Sequence, residues 1–264
     1  MRLGLDYAAA RPGGAAIRAA GYDFVVRYLS DGGPSLPGKL LTPAEANDLR
    51  AHGVSIVSNW ETWADRMLDG YDAGAHDARL ALAQVLRCGG RRDRPIYFSV
   101  DFDATPQQQV PIDAYLRGAA TVLGPEYVGV YGGYWPLSRA LDHGTARWAW
   151  QTEAWSGTNR EPRRNLHQRI RQVVVGGVSC DVNEALTTDF GQWDWVEKEE
   201  DDMTPEQEAV LRDIQVQLRG PGLDGWPQLG NRTLVDGVAA ALARITELEA
   251  EVERLSKPWW QRVL

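Results

Sequence analysis

Ile96-Tyr97-Phe98-Ser99-Val100-Asp101-Phe102-Asp103 is an apolar run that ends in two carboxylates. The run has the composition of a buried strand, and a carboxylate buried without a partner costs several kcal/mol. Its acids therefore belong at the strand end. The same layout recurs outward along the chain: Asp6 in LGLDYA (3–8), Glu61 in VSIVSNWE (54–61) and Asp181 in VSCDVN (178–183). When strands are parallel and separated by helices, their C-terminal ends gather on one face, so these five acids can line one cleft. Such a cleft suits glycosidic acid–base chemistry.

Strand candidates are 3–7, 24–29, 54–60, 95–102, 127–132, 146–152, 168–175 and 178–182, with helical patterns at 13–20, 42–52, 72–88, 110–123 and 135–143. Thr42-Pro43 opens the second helix and Gly53 closes it. The stretch 156–167 is polar, contains Pro162 and reads as a loop. The alternation predicts an α/β fold, a (β/α)8 TIM-type barrel with a depleted second half, over residues 1–195. An open doubly wound sheet is the competitor, weakened because no GxGxxG follows the first strand.

The charged run 196–203 reads as an acidic linker. Thr204-Pro205-Glu206-Gln207 then carries an N-cap, a proline at the first helical position and a capping-box glutamine. Residues 204–230 thus form a helix and a turn containing Gly225-Trp226-Pro227-Gln228-Leu229-Gly230. In 231–264, Leu234, Val238, Ala241, Ile245, Leu248, Val252 and Leu255 repeat at steps of four and three, a heptad seam that points to a coiled coil. β-branched residues alternate with leucine along it, which favours a parallel dimer, while Ala241 leaves a trimer open. A homo-oligomer, or a larger assembly, is the expected partner of this segment. Trp259-Trp260 would add an exposed apolar patch suited to docking.

The 264 residues carry a net charge of −8, which argues against nucleic acid, because phosphate binding needs clustered Lys and Arg. Cys88 and Cys180 stand in unrelated contexts and read as two buried thiols. The four histidines have no ligand spacing, so no metal and no cofactor is expected. No apolar run is long enough for a membrane span. The first residues already read as a strand, leaving no signal peptide, so the chain is expected to be made in the cytoplasm.

Paired carboxylates can divide glycoside hydrolysis, one giving a proton to the leaving oxygen and the other stabilising or attacking the anomeric centre. Asp101 and Asp103 lie two apart, so along a strand both would face one mouth. Trp60, Trp63, Trp135, Trp148, Trp150 and Trp155 cluster near strand ends, and indole faces stack on sugars. Trp60 and Trp155 are favoured as ligand contacts because each neighbours an acid, Glu61 or Glu153.

The phrases LGLDYA, YFSVDFD and CDVNEAL resemble the glycoside-hydrolase-like domain of actinobacteria and their phages, itself similar to the family 25 (Chalaropsis-type) lysozymes. The resemblance covers roughly residues 1–192. It implies a muramidase-like barrel with Asp6, Asp101, Asp103 and Asp181 as catalytic residues. Glu61, Trp60, Tyr131, Gln151, Glu153, Trp155 and Asn183 would then hold the glycan strands of peptidoglycan. In the lysozymes a glutamate proton donor stands where this chain has Asp103, one methylene shorter. Either the cleft is reshaped so that Asp103 or Glu61 is the acid, or the barrel binds glycan with little turnover. The GWPQLG element and the helix after it look like C-terminal segments of actinophage wall-directed proteins. That likeness makes a phage virion, as a tail component or a lysin, the expected setting. The alternative is a minor tail protein that binds wall glycan and oligomerises through its last helix.

Overall fold

The computed structural model describes residues 2–193 and 205–258. The linker 196–203, the capping Thr204 and the Trp259-Trp260 pair lie outside the described residues. The chain divides into two units, residues 1–195 and 196–264.

In the first unit eight strands close a ring. They are β1 (Arg2–Asp6), β2 (Phe24–Tyr28), β3 (Ser55–Trp60), β4 (Ile96–Ser99), β5 (Val128–Gly132), β6 (Trp148–Thr152), β7 (Leu166–Val175) and β8 (Val178–Ala185). Each pairs with the next and β8 returns to β1. Five helices follow the first five strands: α1 (Gly14–Ala19), α2 (Pro43–Ala51), α3 (Gly70–Arg87), α4 (Gln109–Leu123) and α5 (Tyr134–Asp142). Thr42 caps α2, its side chain accepting from the Glu45 amide. A two-residue strand, β9 (Gln192–Trp193), which the sequence reading did not anticipate, pairs antiparallel with the start of β3.

The unit departs from a (β/α)8 pattern in two respects: no described helix follows β6, β7 or β8 within it, and one strand is reversed. β1 to β7 run parallel, but β8 is antiparallel to both β7 and β1. The cause is local: β7 and β8 are joined by Gly176-Gly177 alone, both with φ near +60 to +80°, a two-residue turn that only a hairpin can use. Asp181 therefore lies within β8 and not at its end. It still reaches the mouth of the barrel, because the reversed strand sets it directly opposite Asp6.

Side-chain alternation sorts the core into two layers. Phe24, Val26, Val57, Tyr97, Tyr131, Trp150, Leu166, Ala185 and Phe190 fill the barrel. Leu5, Val25, Ile56, Phe98, Val130 and Ala149, one residue out of phase, pack under the helices. The large rings need small residues opposite: a Cβ on Gly4 would lie 2.4 Å from the Phe24 ring, and one on Gly129 would lie 2.7 Å from Tyr97. Cys88 and Cys180 are free and buried.

The second unit contains α6 (Pro205–Arg219) and α7 (Leu234–Ser256). Between them the Trp226 indole donates to the Gln217 carbonyl, and Thr233 caps α7 through the Asp236 amide. No described helix is long and apolar enough to cross a membrane.

Candidate active site

The period of two that fills the barrel also builds its mouth. Continuing the inward positions upward gives Asp6 on β1, Tyr28 on β2, Asn59 on β3, Ser99 on β4, Tyr131 on β5, Gln168 on β7 and Asn183 on β8. Asp6 is 3% exposed and is the best-held of the acids. Its Oδ2 accepts from Asn183 Nδ2 at 2.7 Å and from Gln168 Nε2 at 2.9 Å. Its Oδ1 has only a long contact, 3.4 Å, from the Tyr28 hydroxyl.

That asymmetry is set from behind. The Trp150 indole can only donate, and it donates to Asn183 Oδ1 at 2.9 Å, which turns the amide NH2 toward Asp6. Tyr131 does the same for Gln168, its hydroxyl donating to Oε1 at 2.7 Å. Tyr131 and Trp150 are in turn packed ring on ring, 4.3 Å between centroids. Asp6 thus presents one oxygen to the mouth, with two aromatic residues fixing which.

Burial, then the facing Asp181, then Glu61 push the Asp6 carboxyl up to about 7, against the two amide hydrogen bonds. Burial, together with Glu61, raises Asp101 to about 6, although Lys39 opposes the shift. Burial also raises Asp181, opposed by Gln172. Lys39 is the one cation of this group: it is 4% exposed, pairs with Glu61 Oε1 at 3.1 Å and sits 5.0 Å over the Tyr28 ring. Its loop is pinned by buried Arg27, which bonds the Gly38 carbonyl at 2.6 Å while paired with Glu45 at 2.8 Å. The mouth therefore gathers Asp6, Glu61, Asp101 and Asp181 around a single buried lysine. Carboxyls that keep their protons to higher pH than usual, beside a carboxylate tied to a cation, are equipped for proton donation and for stabilising positive charge.

Other expected residues lie elsewhere. β4 ends at Ser99, so Asp101 and Asp103 stand in the following loop and strand alternation does not pair them. Asp103 is exposed and lines a hollow of about 420 Å³ with Ala104, Thr105, Pro106, Trp135 and Arg139. Trp60 follows inward Asn59 and so points outward into the layer beneath the helices, not into the mouth. Gln151 is fully buried and outward. It holds the loop after β6, bonding Ser156, Asn159 and the Glu161 amide, which removes it from ligand contact. Glu153 has its acceptor capacity filled by the Ile170 amide, His167, Arg160 and Arg169. The Ile170 hydrogen bond chiefly, with His167 and Arg169, holds it down to about 2, so it braces the loop against β7. Trp155 stands on that loop in the left-handed region, φ 54°, with its indole 42% exposed. Trp135 is exposed as well, edge-on to Tyr134 at 4.9 Å.

Sequence reasoning missed Tyr28, Lys39, Trp150 as an orienting group, and Gln168. Tyr28 was accessible to it, two residues beyond inward Val26, whereas Gln168 was hidden, because its strand begins at Leu166, inside the stretch 156–167 that the sequence reading takes as a loop. Lys39 sits in a loop whose course no pattern foretells.

Residues 15–185 match the family described as Rv2525c-like, glycoside hydrolase-like domain. The chain belongs to this family. Residues 203–248 match a second family, the Rv3766 C-terminal domain. Rv2525c of Mycobacterium tuberculosis, whose name proposes it as a peptidoglycan hydrolase, is 36% identical over 200 residues, 72% of this chain and 82% of the relative. The crystal structure of that Tat-secreted protein with L-tartrate superposes with a TM-score of 0.68 at 35% identity, covering 73% of this chain and 98% of the other. An uncharacterized Bacillus stearothermophilus protein shares the fold, with a TM-score of 0.53 at 20% identity over 70% of this chain and 96% of that one.

Proposed function

We propose that the barrel is a glycosidase acting on the glycan strands of peptidoglycan. The observation that carries this reading is the pair of raised carboxyls at one mouth, Asp6 at about 7 and Asp101 at about 6, beside Glu61 and Asp181. Membership of a glycoside hydrolase-like family, and a relative named for peptidoglycan hydrolysis, support the substrate class.

Asp101 is half-buried at the mouth and acts as the proton donor to the leaving oxygen. Asp6 and Asp181 share charge beneath it and stabilise the positive charge that develops at the anomeric carbon. Lys39 holds Glu61 in place. This reading moves the donor from Asp103 to Asp101, because Asp103 is exposed and lines the hollow beside Arg139, whereas Asp101 is half-buried next to Glu61 and Lys39. Trp155 and Trp135 offer stacking faces to the sugars flanking the cleaved bond.

The test is release of reducing ends from purified peptidoglycan. Asp101→Asn should lower it by at least ~10²-fold, a typical loss for a general acid, while Asp103→Asn should leave it within a few-fold of the parent. Loss in Asp103→Asn with activity kept in Asp101→Asn would overturn the assignment. A tail-associated setting is the second reading, favoured by the exposed heptad face of α7. Immunogold labelling of virions from an actinophage that encodes this chain would test it: labelled tails support it and unlabelled tails reject it.

A further inference from the structure

The seven seam residues of α7 fall into register as Val238, Ile245 and Val252 at one core position (a) and Leu234, Ala241, Leu248 and Leu255 at the other (d). All seven are exposed in the single chain, the six larger ones by 42% to 65%. A helix of 23 residues, about 34 Å long, cannot leave such a stripe in water without cost. We infer that α7 pairs with α7 of a second copy of this chain, as a parallel, in-register two-stranded coiled coil.

Two features select that occupant. Every a position is β-branched, and three of the four d positions are leucine, the combination that favours two parallel strands. The flanking positions supply complementary charge: Arg244 precedes an a residue and Glu249 follows a d residue five positions later, so in a parallel dimer Arg244 of each copy meets Glu249 of the other. Within one chain Arg244 reaches Glu247 instead, and both are solvent-exposed. A dimer would present two barrels to one polymer and so raise effective affinity without a new contact at either mouth.

The test uses the full chain in analytical ultracentrifugation over a broad concentration range. The mass should be twice the 29.3 kDa of one chain, and Ile245→Asp should reduce it to one chain while the far-UV signal of the barrel persists. Arg244→Glu and Glu249→Arg should each weaken dimerisation on the order of 10-fold, and the double exchange R244E/E249R should restore it. A parent mass of one chain or of three overturns the inference. So does a double exchange no tighter than the single variants, since that excludes the parallel register.

Discussion

Asp6 shows how a single side chain links packing to chemistry. Trp150 and Tyr131 fix the amides of Asn183 and Gln168, those amides occupy Oδ2, and the remaining oxygen faces the mouth. The energetic consequence has a definite sign. Because the folded state holds the Asp6 proton up to about 7 and the unfolded chain releases it near 3.8, the fold binds the extra proton throughout that window. Its stability relative to an Asp6→Asn variant should therefore be greatest below pH about 4. It should decline as pH rises to about 7, by on the order of 4 kcal/mol in all. Denaturant unfolding of both proteins across that range measures the difference; a pH-independent gap would contradict the buried-proton account. Asp101 obeys the same sign over a narrower window, to about 6.

At the scale of elements, α3 and α4 meet through reciprocal glycines. A Cβ on Gly74 would lie 1.9 Å from the Tyr115 carbonyl oxygen, and one on Gly118 would lie 2.0 Å from that of Tyr71. Both obstacles are backbone and cannot rotate away, so Gly118→Ala should force the helices apart and cost about 3 kcal/mol. A shift in thermal midpoint of less than a degree would show that the helices separate freely. The elements themselves were largely legible in the sequence, because apolar runs of five to eight residues alternate with helical patterns and caps such as Thr42. Strand direction was not, since alternation of side chains is the same for either direction. The decisive signal was nonetheless present: Val175-Gly176-Gly177-Val178 leaves two residues between strands, too few for a parallel crossover. The site was half legible for a related reason. Acids after strands marked the mouth, but Trp60 was favoured for its neighbour Glu61, Asp103 for its spacing from Asp101 and Gln151 by resemblance, whereas the phase of the strand and its early end at Ser99 decide where each points.

For the whole molecule, the proposed reading gives the barrel, with its acid-lined mouth, the chemistry and gives the second unit, with its exposed heptad face, the assembly. The chemistry depends on the proton that Asp101 holds up to about 6. Reducing ends released from peptidoglycan by the full chain, followed as a function of pH, test it most directly. Release should fall as pH rises from about 5 to about 7, as Asp101, whose proton is held up to about 6, loses it. Release that is absent at every pH, or that rises through that window, would contradict it.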